Sequence, residues 1–170
     1  DVVIKNAKFT RAGVFANENA NVVFDNGTIN HKPERTSRYI FCANGGATIT
    51  VKDGTFTNDR AKNSFFWADD ATIVVEGGNF GGSASNKKVV TSNGGQVIIK
   101  GGTFAVSYDG QSFHAASTHV LTIYGGVFSL ENGAKLNPAK HIASGMKAVE
   151  KDGRYYVVAN DTELVSTSAQ

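Results

Sequence analysis

Two carboxylates in repeated segments of this 170-residue chain are the first candidates for chemistry. Asp25 and Glu76 hold equivalent places in an eight-residue pattern, and glycosidic bonds are hydrolysed by pairs of carboxylates that act as acid and base. If the repeats stack as neighbouring strands, about 9.6 Å separates the two, just beyond the roughly 6.5–9.5 Å used in inverting hydrolysis. Alternating charges in this column are typical of a stabilising ladder, and its members are Lys5, Asp25, Lys52, Glu76, Lys100 and Tyr124. We therefore predict no catalytic residue and a protein that is not an enzyme.

Metal, cofactor and disulfide chemistry have little support in the sequence. The four histidines are scattered, and His114 has no histidine, cysteine or carboxylate in register with it. Cys42 is the single cysteine, which excludes a disulfide within the chain. We expect no metal ion and no cofactor.

Trp67 has the clearest potential to bind a ligand, because an exposed indole can stack on a sugar ring. Counting from the repeat places it in a column of small residues, namely Ala16, Ala43, Thr91 and Ala115. It therefore either fills interior space beside the alanines or lies on a bulge that turns it outward. The candidate residues for binding a glycan or a protein partner are Trp67, Phe66, Arg38 and His114.

The elements that position these residues follow from a repeat. The pattern apolar-x-apolar-x-turn-Gly-x-Phe occurs six times with small variations, and its starts are 20, 27, 24, 24 and 24 residues apart. The copies span residues 2–9, 22–29, 49–56, 73–80, 97–104 and 121–128. A second apolar segment precedes each later copy, and repeats of this length are typical of solenoids.

Composition and pattern together predict an all-β protein. Eighteen valines and nine isoleucines against four leucines, with 19 glycines, favour short strands and tight turns over helices. Apolar residues alternate along each copy, as a strand with one buried face requires. We predict a parallel β-solenoid of about six coils of about 24 residues.

Each copy has its corner at two adjacent columns. The first column contains residue types that tolerate a left-handed backbone, so we predict that conformation at Asn6, Asn26, Asp53, Gly77, Gly101 and Gly125. The second column is glycine in every copy except the first, where Ala7 stands. The first corner is therefore expected to bend differently.

Two uncharged columns should point outward and are candidate interface strips. The first comprises Val3, Val23, Thr50, Val74, Ile98 and Thr122. The second comprises Phe15, Cys42, Phe66 and Val90, and continues to His114. Because continuous exposed apolar surface can mark contacts between chains, we expect a homo-oligomer, and a trimer in particular.

The register of the repeat ends after Phe128. Pro138 and Gly145 bracket a predicted helical turn, and Asp152-Gly153 between two apolar runs is the signature of a β-hairpin. We predict coils over residues 1–128, a cap over 129–159 and a flexible tail over 160–170. Because a strand-like run follows Asp1 at once, we also expect further sequence upstream.

The segments VIIKGGTF at residues 97–104 and IVVEGGNF at residues 73–80, together with the closing segment 145–158, resemble right-handed parallel β-helices of the pectin-lyase-like kind. Proteins with GGTF repeats of this kind are found among gut-bacterial surface proteins and phage fibre, spike and decoration proteins. The resemblance covers about residues 1–158 and implies a right-handed coil.

Lyases of this fold use an acidic calcium cluster and a basic proton acceptor. Asp69 and Asp70 with Arg60 are the nearest match here, and the matching corner, Gly45-Gly46, adds no ligand.

The charge balance limits the partners. A net charge of +2 is far from the dense basic surface of nucleic-acid-binding proteins, and no apolar run is long enough to span a bilayer.

The leading hypothesis is a non-catalytic structural or binding module of an extracellular or virion assembly, with a virion protein or a cell-surface polysaccharide as partner. The alternatives are a carbohydrate-binding module of a bacterial surface adhesin and, third, a fragment of a polysaccharide lyase or glycosidase.

Overall fold

Parallel strands dominate the chain in the computed structural model, which describes residues 1–10, 12–31, 39–59, 64–83, 88–90, 94–106, 121–131 and 141–165. They form a parallel β-solenoid of about four turns with a spacing of about 24 residues. The predicted fold class is therefore confirmed. All six copies of the pattern form strands, and the described part of the third side of the coil has four strands.

The described residues contain sixteen strands, numbered in chain order. Their bounds are β1 Val2–Phe9, β2 Val14–Ala16, β3 Asn21–His31, β4 Tyr39–Asn44, β5 Thr48–Val51, β6 Thr55–Asn58, β7 Ser64–Asp69, β8 Thr72–Val75, β9 Asn79–Gly81, β10 Lys88–Val90, β11 Gln96–Ile99, β12 Thr103–Val106, β13 Leu121–Ile123, β14 Val127–Leu130, β15 Met146–Lys151 and β16 Arg154–Ala159.

The coils present three faces. Face A consists of the first halves of β1 and β3 with β5, β8, β11 and β13. Face B consists of the second halves of β1 and β3 with β6, β9, β12 and β14. Face C consists of β2, β4, β7 and β10. All these pairings are parallel, so equivalent residues of successive coils lie side by side.

Phenylalanines stack along the interior of face B. Phe56, Phe80, Phe104 and Phe128 are almost completely buried, and the centroids of successive rings lie 4.7, 4.6 and 4.9 Å apart. The 24-residue spacing produces this ladder because it brings identical side chains to adjacent rungs. Stacked rings add attraction beyond the burial of their apolar area, so the repeat stabilises itself along the rod axis.

The corners differ from the prediction in one respect. Asn6 has the predicted positive φ, at 52°, but in the later copies the positive φ lies one residue further on, from 102° at Gly102 to 152° at Gly27. Space explains the choice of glycine, because a Cβ on Gly54 would lie 2.8 Å from the carbonyl oxygen of Gly27. The first copy, with Ala7, bends differently as expected, and its pairing with β3 shifts register there.

A β-hairpin covers the last rung. Strands β15 and β16 pair antiparallel around Asp152 and Gly153, whose φ angles of 52° and 75° fit the predicted two-residue turn. Strand β16 then pairs antiparallel with β14. The predicted helical turn lies largely outside the described residues. Within residues 160–165, the carbonyl oxygen of Val165 accepts a hydrogen bond from Lys151 Nζ.

Candidate functional site

The outward column of face C differs from the predicted one. Phe41 pairs with Phe66, and Cys42 pairs with Trp67. Phe66 is fully buried, and its ring centroid lies 6.0 Å from that of Phe41 and 5.3 Å from that of Phe80. The prediction that Phe66 follows Cys42 on the outside of the rod is therefore wrong.

Unequal corner lengths cause this difference. Ala43 lies six residues before Ile49, whereas its partner Ala68 lies five residues before Ile73. The first corner contains two residues with positive φ, Gly45 and Gly46, and the second has a single one, Asp70. Counting back a fixed number of residues from each copy therefore misplaces β7 by one position, and this exchanges the inward and outward places of Phe66 and Trp67.

Trp67 lies on the outside of the rod. Its column is formed by Phe15, Cys42 and Trp67, whereas the alanines 16, 43 and 68 form the buried column beside it. Phe15 is 55 % exposed, Trp67 is partly exposed and Cys42 is 6 % exposed. Of the two arrangements considered for Trp67, the outward one is correct, because Trp67 lies between the buried Phe66 and Ala68, and neighbouring side chains of a strand point to opposite sides.

Two neighbours hold the indole of Trp67 in place. Its Nε1 donates a hydrogen bond to Asn44 Oδ1 at 3.2 Å, and its ring stacks on that of Tyr39 with centroids 5.0 Å apart. Asn44 Nδ2 in turn donates to Asn17 Oδ1 at 3.0 Å. We call Phe15, Tyr39 and Trp67 the aromatic cluster, and Asn17 with Asn44 the amide ladder. Both present fixed groups on the surface of face C.

Sequence reasoning missed Tyr39 and the two asparagines. Tyr39 lies two residues before Phe41 and outside the repeated columns, so the repeat does not single it out. Asn17 and Asn44 stand two residues after Phe15 and Cys42, and the alternation of strand side chains places them on the same outer surface. That spacing was the available signal for the amide ladder.

Cys42 lies beneath the aromatic cluster. Burial raises the pKa of its thiol, a hydrogen bond from Asn44 Nδ2 to Sγ opposes this rise, and the charge of Asp69 adds to it. A thiol with a raised pKa remains protonated at neutral pH and is a poor nucleophile. Cys42 therefore contributes packing rather than reactivity at this site.

The other predicted binding and interface residues have three different outcomes. The first candidate strip, here called the face A strip, comprises Val3, Val23, Thr50, Val74, Ile98 and Thr122. Its residues lie in one continuous register and alternate with buried residues, as predicted, and Val3 is 58 % exposed. Val90 is in register with Phe66 and so does not continue the column of Cys42 and Trp67. Arg38 and His114 lie outside the described residues.

The carboxylates considered for catalysis have structural neighbours. Asp25 Oδ2 lies 3.6 Å from Lys5 Nζ, and both side chains are too exposed for the pair to stabilise the fold much. In the corner compared with the lyases, the carbonyl oxygens of Asp69 and Asp70 accept hydrogen bonds from the backbone N–H groups of Gly45 and Gly46. Within the described ranges, no three His, Cys, Asp or Glu residues come together as metal ligands would.

Face B carries a shallow groove of about 290 Å³ next to the hairpin. Its lining includes Thr55, Thr57, Asn79, Gly81, Thr103 and Arg154. Thr103 Oγ1 donates a hydrogen bond to Asn79 Oδ1 across neighbouring rungs. This hydrogen bond satisfies two of the polar side chains of the groove, whereas Thr57 Oγ1 is buried and has no hydrogen-bond partner among the described residues.

No protein-family model, curated protein or solved structure matches this chain. Of the helical segments in the described part of the chain, none has the length and apolar character needed to cross a bilayer. The function is therefore argued from the geometry of the surface.

Proposed function

We propose that the chain is a non-catalytic β-helical binding module of an extracellular or virion assembly, such as a phage fibre, spike or decoration protein. The repeated segments at residues 73–80 and 97–104 and the parallel coil support a right-handed, pectin-lyase-like β-helix. A rod with stacked phenylalanines and a hairpin at one end is a stiff support. Binding residues on such a support need little reordering when a ligand arrives, which lowers the cost of association.

The aromatic cluster carries this proposal. Aromatic side chains that remain exposed on a rigid sheet offer a flat apolar surface with an electron-rich face, and the C–H face of a pyranose ring complements it. Trp67 is held by Asn44 and Tyr39, so its ring is positioned before the ligand binds. We therefore infer that the ligand is a cell-surface carbohydrate. A bacterial surface adhesin would use the same cluster and is the alternative setting.

We propose further that the face A strip joins three copies into a homotrimer. Its support is an uncharged column that runs through all the described rungs of face A, from Val3 to Thr122. Native mass spectrometry should give the mass of three chains, and Ile98→Lys should give the mass of one. Thr103→Lys, on the outer surface of face B, is the matched control that should remain trimeric. A single-chain mass for the unmodified protein would contradict the trimer.

An array of bacterial capsular and cell-wall polysaccharides tests the carbohydrate proposal. The unmodified protein should be retained on at least one polysaccharide, and Trp67→Ala should lose that retention. Tyr124→Ala is the matched control, because Tyr124 is 47 % exposed but lies at the end of face A. Retention on no polysaccharide, or equal retention of Trp67→Ala, would refute carbohydrate binding by this cluster.

A further inference from the structure

We propose that the ligand is an extended β-1,4-linked polysaccharide whose chain lies parallel to the rod axis across face C. Trp67 and Phe15 stack on two of its sugar rings, with one further sugar between them. This inference rests on the proposed carbohydrate binding and adds the linkage and the direction of the chain.

The spacing of the outward column is the first argument. Phe15, Cys42 and Trp67 stand on three successive rungs, so about 9.6 Å separates the backbone positions of the two aromatic residues. One sugar unit of an extended β-1,4-linked chain advances by close to one rung. A chain parallel to the axis can therefore keep its sugars in step with the coils.

The alternation of side chains along this column is the second argument. Neighbouring sugars of a β-1,4-linked chain are flipped about the chain axis, so every second sugar presents the same face to the same side. The column has large rings at its outer rungs, of which Phe15 is exposed and Trp67 partly exposed, and at its middle rung the small side chain of Cys42, which is 6 % exposed. Phe15 and Trp67 thus fall where equivalent faces of alternate sugars would lie.

The polar groups beside the column are the third argument. Asn17, Asn44 and Asp69 occupy the same three rungs, two residues further along each strand and about 6.7 Å to the side. The side chain of Asn44 is hydrogen-bonded to Trp67 and Asn17. The side chains at the two outer rungs are more accessible to a ligand, because Asn17 is exposed and Asp69 is partly exposed. An amide and a carboxylate at this distance are placed to hydrogen-bond the equatorial hydroxyls at the edge of an axial chain.

Two other binding geometries make different demands on these residues. A single terminal sugar would need Trp67 with its neighbour Tyr39 and would be indifferent to Phe15. An α-1,4-linked glucan chain curves, and would leave a straight column after one contact. The contribution of Phe15, and its dependence on ligand length, therefore distinguishes an axial chain from both.

Calorimetric titration with β-1,4-linked oligosaccharides of two to six units, prepared from cellulose, mannan and chitin, tests the inference. For the matching sugar, affinity should rise about tenfold between two and three units, because the third unit reaches the second ring. Phe15→Ala should abolish this rise while leaving the disaccharide affinity within about twofold. Trp67→Ala should abolish binding at every length, and Tyr124→Ala should change nothing. α-1,4-Linked oligosaccharides of equal length should show no such rise.

The outcomes separate the two proposals. If the protein binds sugars through Trp67 but the affinity depends neither on length nor on Phe15, the axial chain is refuted and carbohydrate binding stands. The same holds if the α-linked series binds as well as the β-linked one. If neither the array nor the oligosaccharides bind, carbohydrate binding itself is refuted. Phe15 is exposed, so its alanine variant should fold, and circular dichroism checks this.

Discussion

The indole Nε1 of Trp67 lies 3.2 Å from the side-chain oxygen of Asn44, one rung towards the start of the rod. Asn44 Nδ2 in turn donates hydrogen bonds to Asn17 Oδ1 and to Cys42 Sγ. The partly exposed indole is therefore part of a hydrogen-bonded row that crosses three rungs. This row fixes the ring on which the proposed sugar contact depends.

Asn44→Ala should loosen Trp67 without unfolding the rod. The variant loses the hydrogen bond that holds Nε1, and water can replace it because the indole is partly exposed, so stability should fall by about 1 kcal/mol. Trp67 is the single tryptophan of the chain, so its fluorescence anisotropy reports its motion directly. Anisotropy and affinity for the bound polysaccharide should both decrease. Asn30→Ala, at a distant polar position of β3, is the control, and an unchanged anisotropy in Asn44→Ala would contradict the role of Asn44.

The repeat predicts the coil well because equivalent residues of successive rungs lie in the same environment. Val22, Ile49 and Ile73 each fill one place in the interior, so their spacing reveals the strand that carries them. The aromatic cluster is different, because Tyr39 and Trp67 do not recur from rung to rung. The outward position of Trp67 also depends on a corner that is one residue shorter than the corner of the preceding coil. A corner that is shorter by one residue cannot be recognised from the spacing of the repeated pattern, and yet it decides which side chains of β7 face outward.

Gly54→Ala should destabilise the protein by about 2 to 3 kcal/mol. Gly54 has a φ of 141°, and a Cβ there would press on the carbonyl oxygen of Gly27 and on the ring of Phe56. Gly81→Ala is the matched control, because no positive φ is required there and the nearest atom to a new Cβ, that of Ala105, is 3.8 Å away. Urea denaturation measures both variants. Equal midpoints would show that the corner tolerates a side chain.

Phe104→Ala should cost about 3 to 5 kcal/mol, because it leaves a cavity in a stack that cannot close around it. The ring of Phe104 lies between Phe80 and Phe128, with centroids 4.6 and 4.9 Å away. Phe15→Ala removes the same atoms from an exposed site, and its stability should change by less than about 0.5 kcal/mol. Thermal unfolding followed by circular dichroism compares the two. Similar losses would mean that Phe15 is packed and not available to a ligand.

Cys42 should give the protein a pH dependence at alkaline pH. Burial raises the pKa of its thiol above the ordinary value of 9.0, so the folded state holds a proton that the unfolded chain releases. The resulting stabilisation is complete below pH 9.0 and is lost as the pH rises through the pKa of the folded state. Denaturant midpoints of the unmodified protein should therefore fall more steeply above this pH than those of Cys42→Ala, which shares every other titrating group.

A thiol reagent at pH 8 should label the folded protein slowly and the urea-unfolded chain rapidly. Parallel stability curves for the two proteins, or equal labelling rates, would mean that the thiol is open to solvent and that the cluster above it does not cover Cys42.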